Sequence, residues 1–346
     1  MKTILVYGDL MIDRTWIVTK PASTAQRHGD VIPKRREAPT RSDEFLGGAG
    51  TIATALAHFC SIDASVHLLC YSGPIENKTR GNVTLHQLPT SSDPITTIKF
   101  RVYIKAKNGK PKFKYRFDQD APAPVLTGNL PDLPQLDSII LSDFNKGAVQ
   151  PQIINALLTK YPNTPWLVDS KNASLFQINP GLRSQGGTLF VNIDEAKRLW
   201  KVETNSSEEP NIKRDSPNWP SDLLKLGKSL MEKLAKWNLI VKLGQDGAFL
   251  FSGQKYAECP TTPIDDPGIS AGDIFLSAWV QAQLHDGNLC LALRHATITA
   301  SEWVRFSSAI DSWKIAWDAN REKPTPLDFS PKQPDSDSED PVFQSL

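Results

Sequence analysis

A three-layer α/β/α sandwich on a mainly parallel sheet is the fold this sequence predicts, and two observations carry the prediction. Short apolar runs that end in polar residues alternate with segments of helical spacing, the pattern of strands buried on both faces beneath helices. Small, turn-forming residues lead into two of the helical segments, and sheets of this kind bind ligands at the carboxyl ends of their strands.

The elements follow in order. Residues 4–7 form an apolar run that leads to Gly8-Asp9, and residues 51–59 have helical spacing. Further apolar runs lie at 66–70, 138–141, 166–168, 188–191 and 239–243, with helical segments at 152–160 and 221–236. Ser142-Asp143, Asp169 and Asn192 close three of these strands. Each polar ending alone reads as a turn; together they describe the polar rim of a cleft. A buried helix starts near Ala271 and closes at Gly287.

Residues 96–118 break the pattern. Ile98, Phe100, Val102, Ile104 and Ala106 alternate with Lys99, Arg101, Tyr103, Lys105 and Lys107. Beyond Asn108-Gly109, a hairpin turn signal, Phe113, Tyr115 and Phe117 alternate with Lys112, Lys114 and Arg116. This predicts an amphipathic β-hairpin with one apolar and one basic face. Two readings stand: a solvated charged face, or a lid whose basic side attracts an anionic substrate. The aromatics lie opposite the basic side, which argues against nucleic-acid binding.

Composition narrows the class. The chain has 346 residues, 40% hydrophobic and 22% charged, and a net charge of +1, a balance with no pull toward nucleic acid or an anionic membrane. No stretch approaches the ~20 apolar residues of a membrane span, and the first residues hold too short an apolar run for a signal peptide. A cytoplasmic protein is expected. The cysteines at 60, 70, 259 and 290 are scattered, so buried reduced thiols are expected rather than a metal or disulfide framework. Residues 322–346 hold six acidic residues against two lysines, and five prolines. A body over 1–320 with a disordered acidic tail over 321–346 follows. The stretch 201–220, rich in Ser, Asn, Glu and Pro, reads as a surface loop.

Two segments carry chemistry. Ser270-Ala271-Gly272-Asp273 opens the apolar helix; free N–H groups at such a start favour an anion, and Asp273 places a carboxylate beside it. The same residues fit the S-x-x-D pattern of a helix cap, so capping is the competing reading. Leu46-Gly47-Gly48-Ala49-Gly50-Thr51 sets glycines before a helix, where backbone can approach a ligand. Gly48 to Ala53 also satisfies a dinucleotide pattern. That reading is discounted, because the preceding residues are not a parallel strand and no acidic residue ends the next one.

In order, these segments resemble the PfkB, or ribokinase-like, carbohydrate kinases. Val6 to Arg14 is similar to that family's first strand and sugar-binding aspartate, here Asp13. Gly47-Gly48 is similar to its di-glycine signature, Asn192-Ile193-Asp194-Glu195 to its N-x-x-E motif, Leu243 to Gly247 to its nucleotide-side glycine turn, and Ala271-Gly272-Asp273 to its catalytic loop. The stretches Gly8 to Arg14, Leu141 to Gly147 and Asp169-Ser170-Lys171 are most similar to heptose-7-phosphate kinases.

The resemblance implies a ribokinase-like α/β/α sandwich with a β-hairpin lid (segments about 14–45 and 95–118) and transfer of the γ-phosphate of ATP to a sugar hydroxyl. It places Asp273 as base, with Ser270, Ala271 and Gly272 as the anion hole. Asp13, Gly47, Gly48, Thr51 and Lys146 would hold the sugar. Asn192, Glu195, Lys242, Gly244 and Gly247 would lie on the nucleotide side, with Mg²⁺ held through water by Asn192 and Glu195. A homodimer through the lid hairpin is a further expectation.

Departures keep two rivals in play, a catalytically impaired regulator of this fold and a kinase for a nucleoside or ketose phosphate. Ser270 stands where the family has the first glycine of G-A-G-D, an exchange that suits the anion hole if its φ is negative. Thr51 stands for an asparagine and Lys242 for a threonine, and the aspartate that leads the family's loop is lost or displaced to Asp266.

Overall fold

The computed structural model describes residues 1–19, 41–60, 63–71, 73, 82–91, 95–105, 112–261, 270–285, 287–307 and 341–345. Strand β1 (Lys2–Gly8) lies inside the main sheet, and a single residue, Asp9, separates it from β2 (Leu10–Thr19), which belongs to a second sheet. There β2 pairs antiparallel with β3 (Arg41–Gly48) and parallel with β6 (Thr97–Lys105), and β6 pairs antiparallel with β7 (Lys112–Gln119). The chain re-enters the body through helix α1 (Ala49–Phe59), then β4 (Ala64–Cys70) and β5 (Val83–Gln87).

The rest of the main sheet is built by alternation. Strand β8 (Ser138–Asp143) precedes α2 (Pro151–Lys160), and β9 (Trp166–Ser170) precedes the short α3 (Leu175–Ile178) and α4 (Pro180–Gln185). Then come β10 (Gly187–Asn192), α5 (Ile193–Thr204), α6 (Trp219–Lys233) and β11 (Trp237–Lys242). Strands β5-β4-β1-β8-β9-β10-β11 pair in parallel. The edge beyond β11 is antiparallel: β12 (Ala248–Ser252), β13 (Lys255–Cys259) and β14 (Gln344–Ser345).

Burial explains why these runs become central strands. Every residue of β8 and β9 is buried, and each large apolar side chain so removed from water stabilises the fold by about 1.5–3 kcal/mol. One core, with Ile154, Leu199, Leu230 and Phe251, lies under α2, α5 and α6. The other, with Ile52, Phe275, Trp279 and Leu293, lies under α1, α7 (Ala271–His285) and α8 (Leu289–Ser307). Two cores on opposite faces of one sheet give the expected three layers. The four cysteines are buried thiols. No helix among the described residues is long and apolar enough to cross a membrane.

Three expectations are modified. Strands β6 and β7 are neighbours, as a hairpin requires, with a bulge between Val102 and Tyr103; the Asn108-Gly109 turn lies outside the described residues. The basic side of β6 is not a solvated face, because Lys99 and Tyr103 are buried along with Phe100 and Val102. The tail is ordered at its end: Gln344 and Ser345 pair with Tyr256 and Lys255, and Phe343 packs on the second core. An open sheet edge offers unpaired backbone groups, and that segment satisfies some of them. Residues 308–340 lie outside the described residues. The expected loop near 201–220 spans 205–218 between α5 and α6, pinned by Lys197 donating to the Ile212 carbonyl (2.8 Å) and by an Arg214–Asp246 ion pair (3.1 Å).

Candidate active site

The step from β1 to β2 sets the first wall. Asp9 is buried there, and its carboxylate accepts the backbone N–H groups of Phe144, Lys146 and Ala148 at 2.8–2.9 Å. It therefore shapes the loop after β8 rather than facing a ligand. Four residues on, Asp13 is 2% exposed and accepts a hydrogen bond from Arg101 at 3.1 Å. A Cβ on Gly47 would stand 2.6 Å from its Oδ2, so the di-glycine here makes room for a carboxylate. Gly48 has φ +60 at the start of α1, a conformation that favours glycine.

Lys99, on the same strand as Arg101, is 3% exposed, and its ammonium lies 4.2 Å from the centre of the Phe144 ring. Lys171, just past β9, sets its own ammonium 4.3 Å from that centre. Burial pushes the Lys99 pKa down to about 8 and the Lys171 pKa down as well; Lys171 and Arg116 lower Lys99 further, while Arg116 lowers Lys171 against the pull of Glu195, Asp169 and Asp273. Only the attraction of Asp13 and Asp273 restrains the fall at Lys99. Among the described residues neither the Lys99 nor the Lys171 ammonium has a carboxylate in hydrogen-bond contact, whereas Arg116 is held by both oxygens of Asp118 at 2.7 and 2.5 Å.

At the far end stand carboxylates. Asp169, from β9, is bonded to Lys242 at 2.5 Å. Asn192 and Glu195 form a reciprocal cap at the start of α5: Asn192 Oδ1 accepts the Glu195 N–H and Glu195 Oε2 accepts the Asn192 N–H. Burial, and then the charge on Asp169, push the Glu195 pKa up.

Asp273 sits in the first turn of α7, 8% exposed. Its carboxylate takes no hydrogen bond from the described residues. Burial and the neighbouring charge of Asp169 push its pKa to about 7, against the pull of Lys99 and Lys242. The capping reading fails at Ser270. A capping box needs Ser270 and Asp273 to exchange side-chain-to-backbone hydrogen bonds, and neither bond is present among the described residues. Ser270 has φ +59, not the negative φ on which the anion hole was conditioned. The serine holds a left-handed conformation that suits glycine, at a cost of about 1–2 kcal/mol. Ile274 is the first residue whose N–H bonds back into the helix, to Ser270 at 3.0 Å. The N–H groups of Ala271, Gly272 and Asp273 are left ahead of it.

The fold therefore brings together Asp13, Gly47, Gly48, Glu195, Lys242, Gly272 and Asp273. Two expected residues are engaged elsewhere. Thr51 donates its hydroxyl to the Leu46 carbonyl at 2.6 Å, and Lys146 pairs with Asp120 (2.6 Å) and Asp118 (3.3 Å) at the end of β7. Gly244 and Gly247 have φ +63 and +94 and shape the turn after β11. Residues 262–269, including Asp266, lie outside the described residues. Sequence reasoning placed Arg116 only on the basic side of the hairpin and gave no role to Phe144 or Lys171, nor to Asp169 as the partner of Lys242. The polar residues that end β8 and β9 were the signal for that cluster.

Comparison with known proteins agrees with this architecture. Residues 164–316 match the family model described as pfkB family carbohydrate kinase. Two curated relatives are both named bifunctional protein HldE. The chain is 27% identical over 255 residues to that of Edwardsiella ictaluri and 26% identical over 195 residues to that of Aliivibrio salmonicida. These alignments take 71% and 54% of this chain but 48% and 38% of the relatives, so the chain spans about half or less of their length. Among solved structures, a ribokinase from Cryptococcus neoformans in complex with ADP aligns at TM-score 0.62 and 18% identity, covering 90% of this chain and 96% of that one. Phosphofructokinase-2 from Escherichia coli aligns at TM-score 0.62 and 17% identity, covering 93% and 100%. The fold is ribokinase-like.

Proposed function

From the premise that the chain carries a PfkB family carbohydrate kinase domain, we propose that it is an ATP-dependent sugar kinase acting on a phosphorylated acceptor similar to heptose 7-phosphate. The observation that carries the reading is Asp273: a buried carboxylate with no hydrogen-bond donor among the described residues, raised to about 7 by burial, in the first turn of a helix whose leading N–H groups have no partner among those residues. A base needs a pKa near the working pH, and a transferring phosphoryl group needs preorganised donors.

In this mechanism Asp13, oriented by Arg101 and given room by Gly47, holds the sugar hydroxyls. Asp273 takes the proton of the attacking hydroxyl as its oxygen bonds the γ-phosphorus and the bond to the β-phosphate oxygen breaks, releasing ADP. The backbone of Ala271 and Gly272 receives the charge that develops. Lys99, Lys171 and Arg116 offset the phosphate the acceptor already carries. Closure of the four-stranded sheet as a lid excludes water, so that hydrolysis of ATP is suppressed.

Mg²⁺ fits the donor chemistry. Glu195 has a second carboxylate oxygen beyond its cap bond, and it feels the charge of Asp169 nearby; both are hard oxygen donors. Among the described residues no group of three His, Cys, Asp or Glu side chains is gathered to hold a metal, so Asn192 and Glu195 would hold the ion through water. When bound it neutralises phosphate charge.

The enzyme would work in the cytoplasm and pair with a second copy through the outer face of the lid, where Phe113 and Phe117 are 46% and 41% exposed. The test is ATP consumption and sugar phosphorylation by purified protein with heptose 7-phosphate, fructose 6-phosphate, ribose and adenosine. One observation favours the regulator reading, the left-handed Ser270 in the anion hole; ATP binding without transfer to any acceptor would support it.

A further inference from the structure

Lys242 ends β11 opposite Asn192 of β10, while Asp169 lies on β9, the strand beyond. The side chain therefore reaches across β10 to make its 2.5 Å bond. Its ammonium also lies 3.4 Å from where a Cβ of Gly272 would be, against the first turn of α7. A helix start repels a cation and favours an anion. An ammonium there needs anions beside it; Asp169, Glu195 and Asp273 supply them and hold its pKa up against burial, and Asp169 alone makes the direct bond. An ammonium carries three donors, and among the described residues Lys242 spends one, on Asp169. Two donors remain at the same helix start as the N–H groups of Ala271, Gly272 and Asp273, which have no partner among the described residues.

We propose that Lys242 is a phosphate-binding residue, held in reserve by Asp169, that grips the terminal phosphates of a nucleoside triphosphate without needing a divalent ion. The inference rests on the kinase reading and deepens it. The ammonium leaves Asp169 for the phosphate, and so supplies from the chain a positive charge that a metal would otherwise have to bring between the phosphates and the carboxylates. Asp169 sets the cost of that departure. The residue therefore acts in nucleotide binding first, and on the metal requirement through it.

The experiment is isothermal titration of the full chain with ATP, once in EDTA and once with Mg²⁺, for the wild type, Lys242→Met and Asp169→Asn. The wild type is expected to bind ATP in EDTA. Lys242→Met should weaken that metal-free binding by about tenfold or more, the loss of a charge-assisted hydrogen bond, and binding with Mg²⁺ by much less. Asp169→Asn should tighten metal-free binding by about threefold or more, because the ammonium no longer leaves an ion pair. A gain of affinity cannot come from misfolding. Metal-free binding unchanged in Lys242→Met, unchanged or weaker in Asp169→Asn, or absent in a wild type that binds with Mg²⁺, would overturn the proposal. A wild type that binds ATP under neither condition would instead overturn the kinase reading on which it rests.

Discussion

The Gly47→Ala variant tests the acceptor wall at a single methyl group. A Cβ at residue 47 would lie 2.6 Å from Asp13 Oδ2 and 3.3 Å from its Cγ, against 3.4 Å or more for ordinary contact. Asp13 must therefore move by about 0.8 Å. Its Oδ1 is bonded to Arg101 at 3.1 Å, so a shift of that size stretches the bond past hydrogen-bond range. Overpacking costs about 1–3 kcal/mol of stability. A misplacement of about 1 Å costs up to about 10²-fold in rate through lost orientation. Steady-state kinetics with the preferred acceptor should show kcat/KM lowered by about 10- to 100-fold, while ATP binding by calorimetry is unchanged. The lid end of the site and the Lys242 end are separate, which is why the two readouts should part. Unchanged acceptor kinetics in a folded Gly47→Ala protein would refute the placing of Asp13 on the sugar.

Other outcomes follow from the same geometry. Acceptor phosphorylation should rise with pH through an apparent pKa near 7, as Asp273 loses its proton. Asp169→Asn, which removes a charge that raises Asp273, should move that limb to lower pH, and Lys99→Met should move it higher; a limb that ignores both would exclude Asp273 as its source. A carboxyl whose folded pKa lies above its unfolded value of 3.8 loses stability for the fold as pH climbs through about 7. Asp273→Asn should therefore stabilise the protein more at pH 8 than at pH 5, measured by denaturant unfolding. Ser270→Gly should leave stability unchanged or raise it by up to about 1 kcal/mol, because it relieves a left-handed serine. A loss of 1–2 kcal/mol, about the cost of deleting a helix cap, would restore the capping role.

The parallel core was legible because its strands are buried on both faces and leave uninterrupted apolar runs; β8 and β9 are such strands. Strands β2 and β3 were not assigned as such. Leu10–Thr19 carries Asp13 and Arg14 in its middle, and Arg41–Gly48 opens on polar residues that read only as not a parallel strand, which holds, since β3 pairs antiparallel with β2; a sheet facing a ligand need not alternate cleanly. The site divides in the same way. Asp13, Glu195, Lys242 and Asp273 stood in short motifs, whereas their partners are set by tertiary distance: Arg101 reaches Asp13 across 88 residues and Lys242 reaches Asp169 across 73. Thr51 and Lys146 show the converse. Each stands at a motif position, yet the Leu46 carbonyl and the Asp118 and Asp120 carboxylates engage them, and those contacts are written in no local pattern.

The most direct test of the central claim is phosphoryl transfer from ATP to heptose 7-phosphate by the wild type and by Asp273→Asn, with folding checked by unfolding at the same pH. The account predicts transfer by the wild type, and a loss of about 10²–10⁴-fold in the variant without loss of stability. Transfer that survives in a folded Asp273→Asn protein would contradict the assignment of the base. ATP binding with no transfer by the wild type to this acceptor would contradict the heptose-type acceptor, with no transfer to any of the four acceptors contradicting the kinase itself.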